Sequence, residues 1–386
     1  MNQVKGAIQD ELDAYFENTG IAESAHDLVS KAAFCKARRY LNASAFVELR
    51  DDLNREFYAS DHVKTWRGHR LCAVDCSKLT LPNTDAILKE FGGRKNKYTQ
   101  IPQATLSQCY DPLNGLTLDT KLSSSSCCER SMAIKHLESM SGNNVFLYDR
   151  GYPGYWFYRA HTHHQQAFCM RVSTRTQCKH IQDFLYGNAT DELIELTASD
   201  KAKRVCRDKG YVIEPLRLRL IKVVLSSGEV EVLVSNLLDQ STYPAKDFSA
   251  LYFKRWGVEE DFKQQKHTLL IERFSGKSAI AVMQDIEANV FTKNMARLIS
   301  RVADETLDQV NSKRKHTYQI NFKQLISKCK HSLVKALMVG NSLECICRLF
   351  SSIMRDIEPV RKGRKYRRKR LVGTRSATHG TYKSAR

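Results

Sequence analysis

The chain has 386 residues, 42% hydrophobic and 27% charged, a composition typical of a folded globular protein. No apolar segment approaches the ~18 residues that a membrane-spanning helix needs, and the acidic N-terminal segment is unlike a secretory signal. We therefore expect an intracellular protein that has no membrane partner. Lysine and arginine number 61 against 42 acids, and this net charge of +19 favours a polyanion such as nucleic acid as the partner.

Much of the positive charge lies at the C-terminal end of the sequence. Residues 355–386 contain twelve Lys and Arg against two acids, and the run RKGRKYRRKR from Arg361 to Arg370 is the centre of this excess. Such a run favours contact with a nucleic-acid backbone, although it carries no sequence specificity. The alternative is a solvated tail that serves solubility.

The twelve cysteines do not have the spacing of a metal or disulfide framework. No Cys-x-x-Cys pair occurs, and the cluster His161-Thr-His163-His164 has no cysteine pair nearby. We therefore expect most of these cysteines to be small core residues in a reducing compartment.

The first region, residues 1–66, is predicted to be helical. Ser24 is a candidate N-cap for a helix through HDLVSKAAFCKARRYL, and Asn42 or Ser44 is a candidate N-cap for the next helix. The basic first helix fits a small DNA-binding module. Any amphipathic helix pair has a similar pattern, so this alternative stays open.

Residues 67–173 alternate between strands and helices. The apolar run from Leu71 to Val74 predicts a buried strand that is followed at once by Asp75. Asn114-Gly115 predicts a hairpin turn, and a second buried strand, Val145 to Tyr148, precedes Asp149. The order predicts a mixed α/β sheet covered by helices.

The remaining chain divides into three further regions. Residues 174–246 read as a β-rich insertion, residues 247–305 as mostly helical, and residues 306–386 as C-terminal helices followed by the basic tail. The helices at 320–355 have apolar faces wide enough to bury, so they are candidates for a dimer contact. An ordinary intramolecular core is the alternative for those faces.

Two carboxylates, those of Asp75 and Asp149, each follow an apolar strand. Neighbouring strands would bring them together, and two close carboxylates are costly unless a cation lies between them. Oxygen ligands select a hard ion such as Mg²⁺ or Mn²⁺. The alternative is that both residues are turn or cap residues, which are common at strand ends.

The segment LYFKRWGVEEDFKQQK places four functional side chains on one stripe of a helix. At about 100° per residue, Tyr252, Arg255, Glu259 and Lys266 fall within an arc of about 60° if the helix is continuous. The alternative is a solvated helix on which Arg255 and Glu259 form an i,i+4 ion pair worth only ~0.3–0.5 kcal/mol.

The neighbouring acids, Glu260 and Asp261, fall roughly 80° and 180° around the helix from Tyr252, outside the stripe. If one acid of this helix joins the two aspartates, the geometry therefore selects Glu259.

These motifs together resemble the insertion-sequence-four family of bacterial DDE transposases. The spacing Tyr252-x2-Arg255-x3-Glu259-x6-Lys266 is similar to the family's Y-x2-R-x3-E-x6-K signature. AVDCS around Asp75 and YDRGYP around Asp149 resemble its two aspartate strands, and DPLNGL at 111–116 is also similar. The resemblance spans roughly residues 67–300.

The resemblance implies an RNase H-like fold interrupted by the β-rich insertion. It implies that Asp75, Asp149 and Glu259 bind two Mg²⁺ (or Mn²⁺) ions and catalyse in-line phosphoryl transfer. The residues it implies for DNA binding are Tyr252, Arg255, Trp256 and Lys266, and we add Arg150 because it follows Asp149. The alternative for Arg150 is that it braces the end of the strand. Trp256 would hold a flipped base, and the alternative is a core tryptophan beside the helix. The insertion contains no Trp, so the sequence does not predict the second stacking aromatic that hairpin-forming members use.

The function implied is a DNA transposase that binds inverted-repeat ends, cleaves the donor DNA and joins 3′-hydroxyl ends to target DNA. Its partners would be double-stranded DNA and a second copy of the chain in the synaptic complex, and its location the nucleoid of the bacterial cytoplasm. Two alternatives stay open: an RNase H-like nuclease that does not join strands, and a catalytically silent, domesticated DNA-binding protein.

Overall fold

The structure, a computed structural model, describes residues 7–19, 29–95, 100–225, 227–338 and 342–360. The predicted cap Ser24 and the basic run Arg361–Arg370 lie outside these residues. The chain forms two compact units. The helical unit comprises Met1–Leu53, Thr80–Gln103 and Gln264–Arg386, and the sheet unit comprises Asn54–Leu79 and Ala104–Lys263. These units do not coincide with the five predicted regions, which stay predictions.

Helices predominate towards both ends of the chain, and most strands lie between them. The helices are α1 (Ile8–Thr19), α2 (Lys31–Arg38), α3 (Ser44–Tyr58), α4 (Asp85–Phe91), α5 (Glu129–Ser139), α6 (Tyr155–His163), α7 (Lys179–Tyr186), α8 (Asp200–Asp208), α9 (Phe248–Phe253), α10 (Trp256–His267), α11 (Ala279–Ser312), α12 (Phe322–Met338) and α13 (Ser342–Arg355). The strands are β1 (Arg70–Thr80), β2 (Gly93–Lys95), β3 (Gln100–Asp111), β4 (Leu116–Ser124), β5 (Asn144–Tyr148), β6 (Ala167–Val172), β7 (Asp191–Leu196), β8 (Leu216–Val224), β9 (Val230–Ser235), β10 (Tyr318–Ile320) and β11 (Ile357–Pro359). Among these helices, none is both long and apolar enough to cross a membrane.

The fold is a mixed sheet flanked by helices, and the α/β prediction is confirmed. In the described residues nine strands form one sheet in the order β2-β3-β1-β5-β6-β9-β8-β7, with β4 paired to β3. Strands β1, β5 and β6 pair in parallel, whereas β3 and β4 form an antiparallel hairpin. The order β4-β3-β1-β5-β6 is that expected of an RNase H-like sheet.

The predicted hairpin turn at Asn114-Gly115 is confirmed, and its geometry has a local cause. Gly115 has a φ of 74°, a left-handed conformation that glycine adopts without strain. Its N–H donates to the Asp111 carbonyl, and the Asp111 carboxylate accepts from Leu113 N at 2.9 Å. This turn fixes the register of β3 on β4.

The predicted insertion does not form a separate sheet. Strand β9 pairs antiparallel with β6, and β8 and β7 extend the sheet beyond it. The segment also contains α7 and α8, whose inner residues, such as Phe184 and Cys206, join the main core. The insertion and the aspartate-bearing strands therefore share one hydrogen-bonded sheet.

The core of the sheet unit is rich in aromatic rings. Phe146 and Tyr148 of β5 stack on each other, with ring centroids 6.1 Å apart, and both are fully buried. Phe157 of α6 packs edge-on against Tyr148. This packing holds β5, the strand that precedes Asp149, firmly between α6 and its neighbours.

The helical unit has its own core around α11, α12 and α13. Leu325 and Cys329 of α12 and Leu349 and Ile353 of α13 are buried in one cluster with Ala303 of α11. Part of the apolar faces predicted as a dimer contact at 320–355 is therefore used inside the chain. A homodimer stays a proposal.

Candidate active site

Asp75 and Asp149 lie on neighbouring parallel strands. From Arg70↔Asn144 to Ala73↔Leu147, each residue of β1 pairs with a residue of β5 at the same difference in residue number, which we call the offset. The same offset, continued by two residues, sets Asp75 beside Asp149. Neighbouring strands are about 4.8 Å apart, so the two carboxylates start from adjacent backbone positions.

The two aspartates differ in their backbone setting. Asp149 directly follows β5, as predicted, whereas Asp75 is the sixth residue of β1 and not the residue after its end, which corrects the prediction. The Asp75 carboxylate accepts from Cys76 N, and that of Asp149 accepts from Gly151 N, both at 2.8 Å. Asp75 is thus held in a strand and Asp149 in a tight turn.

The turn after Asp149 is fastened by an arginine of α5. Arg130 donates from Nη2 to the carbonyl of Gly151 at 2.8 Å and to that of Pro153 at 3.2 Å. A Cβ at Gly151 would come within 3.1 Å of Asp149 Oδ1. The turn therefore favours glycine at this position and keeps the carboxylate close to the backbone.

Glu259 lies in the first turns of α10, and Arg255 is its partner. Arg255 Nη2 is 2.8 Å from Glu259 Oε1, with the arginine side chain 3% exposed and the glutamate 29% exposed. The i,i+4 pair that the sequence suggested is therefore present. The guanidinium also lies over the Trp256 ring, 4.7 Å from its centroid.

The helix that carries these residues is not continuous, which corrects the single-helix prediction. Between α9 and α10 the amides of Lys254, Arg255, Gly257 and Val258 each donate to the carbonyl three residues earlier. Such tight 3₁₀ bonding aligns residues three apart. Tyr252 and Arg255 are buried, whereas Phe253 and Trp256 are 71% and 45% exposed.

The three carboxylates interact electrostatically. Burial raises the pKa of Asp75 to about 6, and the negative charges of Asp149 and Glu259 act in the same direction. The hydrogen bond from Cys76 N and the positive charge of Arg255 oppose this rise. Repulsion of this kind is expected where a divalent cation has its place.

The donor chemistry of the site fits a hard divalent cation. Asp75, Asp149 and Glu259 offer only carboxylate oxygens, which Mg²⁺ and Mn²⁺ prefer. In the described part of the chain, no three His, Cys, Asp or Glu side chains already form a ligand cluster. Glu259 is paired with Arg255 through Oε1, so this ion pair competes with a metal ion for the carboxylate.

The residues predicted to bind DNA differ in accessibility. Arg150 is exposed beside Asp149, and Trp256 is partly exposed. Lys266 lies in the last turn of α10 and is half-buried. Tyr252 is buried, its hydroxyl has no hydrogen-bond partner among the described residues, and burial raises the pKa of that hydroxyl above its ordinary value. The DNA-binding roles stay predictions.

A family model described as a transposase DDE domain matches residues 66–295, more than half of the chain. The chain belongs to this family. The match includes Asp75, Asp149 and Glu259. Transposases act on DNA, and DDE transposases generally use divalent metal ions.

Other comparisons add little to the family assignment. The cryo-EM structure of the piggyBac transposase synaptic complex with hairpin DNA is similar with a TM-score of 0.42 and 10% identity, over 92% of this chain and 73% of that one. A likeness this low supports no functional conclusion. A search of curated proteins finds no significant match.

One charged residue of this DDE transposase was missed by the sequence patterns. Arg171 of β6 forms an ion pair with Glu231, and its Nε is buried with no hydrogen-bond partner in the part of the chain that the structure describes. Burial lowers the pKa of Arg171, but Glu231, Tyr252 and Asp149 together raise it above its ordinary value. Its only signal in the sequence is a single arginine in the apolar strand AFCMRV.

Helix α10 of the transposase is seated directly on strand β3 and its turn. Gln108 Nε2 of β3 donates to Asp261 Oδ2 at 2.5 Å, and both residues are buried. A Cβ at Gly257 would lie 2.9 Å from Pro112 Cβ and 3.4 Å from Tyr110 Cε1. Gly257 and Asp261 stand two residues before and after Glu259, so these contacts set the position of its backbone.

Proposed function

We propose that the chain is a cut-and-paste DNA transposase of the insertion-sequence-four family. It binds inverted-repeat transposon ends, cleaves the donor DNA by two-metal phosphoryl transfer and joins the 3′-hydroxyl ends to target DNA. It works as a homodimer in the synaptic complex, on DNA of the bacterial nucleoid. The observation that carries the proposal is the shared strand offset that sets Asp75 beside Asp149, with the charge of Glu259 acting on Asp75.

In this proposal Asp75 and Asp149 hold the metal ions from neighbouring strands. Glu259 completes the set, in competition with its ion pair to Arg255. When bound, two divalent ions activate the attacking hydroxyl and stabilise the leaving oxygen of an in-line displacement. The chain's own part is to keep the carboxylates ionised and correctly placed.

In the proposed mechanism, the Glu259 carboxylate and a DNA phosphate compete for the guanidinium of Arg255. In the free protein it neutralises Glu259. A DNA phosphate offers a guanidinium the same bidentate geometry as a carboxylate and would compete with Glu259 for it. DNA binding would therefore draw Arg255 away and release Glu259 for the metal, which ties assembly of the catalytic site to the presence of the substrate.

The test is cleavage of a plasmid that carries the gene with its native flanking DNA, in Mg²⁺. We expect Asp75→Asn, Asp149→Asn and Glu259→Gln each to lower the cleavage rate at least about a hundredfold, as loss of a group that stabilises transition-state charge does. The matched control is Glu260→Gln, because Glu260 is exposed and pairs with Lys263 instead. Its rate should change less than about twofold.

Three results would contradict the proposal. Full cleavage by any of the three variants would remove that carboxylate from the catalytic set. A wild-type protein that hydrolyses pre-cleaved ends but never yields joined product would be a nuclease without strand transfer. A wild-type protein that binds the ends with no cleavage in Mg²⁺ or Mn²⁺ would be the silent DNA-binding protein.

A further inference from the structure

Arg130 lies near the start of α5 and directs its guanidinium at the turn that follows Asp149. Its Nε and Nη2 donate to the Gly151 carbonyl at 3.0 and 2.8 Å, and Nη2 also donates to the Pro153 carbonyl at 3.2 Å. Within the described residues these two carbonyls are its hydrogen-bond partners, and no acid forms an ion pair with it. The contacts of this arginine therefore hold main-chain oxygens in place and neutralise no carboxylate.

Gly151 is the residue of the turn that contacts the Asp149 side chain. Its N–H donates to Asp149 Oδ1 at 2.8 Å, while its own carbonyl accepts from Arg130. Gly151 is exposed, and because it has no side chain, packing cannot restrict its backbone. Arg130 thus fixes one side of the residue whose other side orients the carboxylate.

Tyr152 anchors the same turn in the core. This residue is 1% exposed, and its ring centroid lies 4.8 Å from that of Tyr148. Its hydroxyl donates to Sγ of Cys76 in β1 at 3.7 Å. The carbonyls that Arg130 holds, those of Gly151 and Pro153, lie on either side of this buried residue. The backbone of the turn is therefore fixed at three consecutive positions.

Helix α5 is itself anchored on the β3–β4 hairpin, which gives Arg130 a fixed base. His136 of α5 is fully buried, with Nδ1 2.7 Å from Asp119 Oδ2 of β4 and Nε2 2.9 Å from Ser107 Oγ of β3. Ser139 Oγ of α5 donates to the same Asp119 oxygen at 2.8 Å. A buried polar network of this kind is costly to disrupt, so it holds the helix in one position on the sheet.

The contacts among Ser107, His136 and Asp119 have the hydrogen-bond order of a hydrolase triad. A nucleophilic serine has to reach its substrate, whereas Ser107 and His136 are both fully buried. These three side chains therefore support α5 and do not form a second catalytic site.

We propose that Arg130 is a positioning residue of the metal site. Its hold on the Gly151 and Pro153 carbonyls keeps the Asp149 carboxylate in the place from which it binds a divalent cation. The inference rests on the proposed function, in which Asp149 is a metal ligand. Arg130 itself contacts neither the metal nor DNA in this role.

Charge and geometry predict opposite effects on metal binding when Arg130 is replaced by a neutral residue. Loss of a positive charge near a cation site strengthens cation binding, because it removes electrostatic repulsion. Loss of the support for the turn weakens cation binding, because the carboxylate then spends time in other orientations. The direction of the change separates a positioning residue from a charge that merely lies nearby.

The first test measures Mn²⁺ binding to the full chain from the electron paramagnetic resonance signal of free Mn²⁺. Arg130→Gln should raise the Kd about tenfold, the lower end of the range seen when residues that support metal ligands are replaced. Arg130→Lys keeps the charge but loses the planar fork, so the Kd should rise by a smaller factor of about three. Lys135→Gln is the matched control, because Lys135 is an exposed cation of the same helix. Its Kd should stay within about twofold of the wild-type value.

The second test measures the turn itself by hydrogen exchange in metal-free buffer. The Gly151 amide donates to the Asp149 side chain at 2.8 Å, and the Tyr152 amide donates to the Asp149 carbonyl at 3.3 Å. Peptides that cover these amides should exchange at least about fivefold faster in Arg130→Gln, because the turn opens more often. The same peptides should exchange at the wild-type rate in Lys135→Gln.

Two results would overturn the inference. Exchange in the turn that does not respond to Arg130→Gln would show that the arginine does not hold it. A Kd for Mn²⁺ that is unchanged or lower in Arg130→Gln, although Asp149→Asn raises it at least about tenfold, would show that the hold has no effect on metal binding.

Failure of the proposed function would look different. If Asp149→Asn itself left Mn²⁺ binding unchanged, Asp149 would not be a metal ligand. The catalytic assignment of Asp149 and the positioning role of Arg130 would then both be wrong, whatever the exchange of the turn.

Discussion

Replacement of Gly257 by alanine is the sharpest test of how the Glu259 helix is positioned. The added Cβ would lie 2.9 Å from Pro112 Cβ, 3.4 Å from Tyr110 Cε1 and 3.6 Å from Pro112 Cα. Carbon atoms pack best at about 3.5–4.0 Å, so the methyl group overlaps a rigid proline ring by more than half an ångström. Either the hairpin turn or α10 has to move.

Two opposing terms set the size of the effect. Alanine in a helix is worth roughly 0.5–1 kcal/mol over glycine, whereas overpacking of a close contact costs about 1–3 kcal/mol. We expect a net loss of about 1 kcal/mol in the free energy of unfolding. Glu259 lies two residues further along, so a shift of a few tenths of an ångström in the helix should lower the cleavage rate on the order of tenfold.

Urea unfolding and single-turnover cleavage measure the two effects. Gly154→Ala is the matched control, because its Cβ would meet only Arg130 Nη1, at 3.5 Å, at the end of a long side chain. Its stability and rate should change much less. A Gly257→Ala protein that is more stable than wild type and cleaves at the normal rate would refute the view that this close approach positions the helix.

Three further predictions concern single side chains of the sheet unit. The folded-state pKa of Asp75, about 6, lies above its ordinary 3.8, so the folded protein binds the proton more tightly and loses stability as pH rises from about 4 to about 6. In metal-free buffer, Asp75→Asn should therefore have nearly the same free energy of unfolding as wild type at pH 4. At pH 7.5 urea titrations should show it to be more stable by up to about 3 kcal/mol. A difference that stays constant from pH 4 to pH 7.5 would contradict the raised pKa of Asp75. Asp261→Leu should lower the free energy of unfolding by about 1–3 kcal/mol, because it leaves the buried Gln108 amide without this partner. Adding Gln108→Leu should recover part of that loss. Strictly additive effects of the two substitutions would rule out an interaction between these side chains. Tyr252→Phe removes a buried hydroxyl to which no described residue is hydrogen-bonded, so thermal unfolding should show equal or slightly higher stability. A loss above about 1 kcal/mol would mean that the hydroxyl is bonded in solution.

The sequence predicted the elements of the site better than their geometry. The strand before Asp149 and the Asn114-Gly115 hairpin were found because a short apolar run and a turn dipeptide are local signals. Strand β1 was cut short at Val74, because Asp75, Ser77 and Lys78 interrupt the apolar pattern of its second half. Its residues are held as a strand by neighbours that are distant in the sequence.

The relative placement of the acids was beyond local patterns. The offset that sets Asp75 beside Asp149 depends on how two strands more than 60 residues apart pack, which no spacing rule gives. The break between α9 and α10 occurs without a proline, and only the backbone hydrogen bonds around Arg255 reveal it. Arg171 was missed because one charge in an apolar strand is usually an exposed or edge position.

The shared sheet has a consequence for any attempt to simplify this protein. Deleting residues 174–246 would strip β9 from β6 and leave a central strand with unpaired amide and carbonyl groups. Such a truncated chain would recruit strands from other molecules and aggregate, so engineering of a smaller enzyme has to retain β9 or provide a substitute for it. Residues 174–246 therefore protect the solubility of the protein, because β9 covers what would otherwise be an open edge of the sheet.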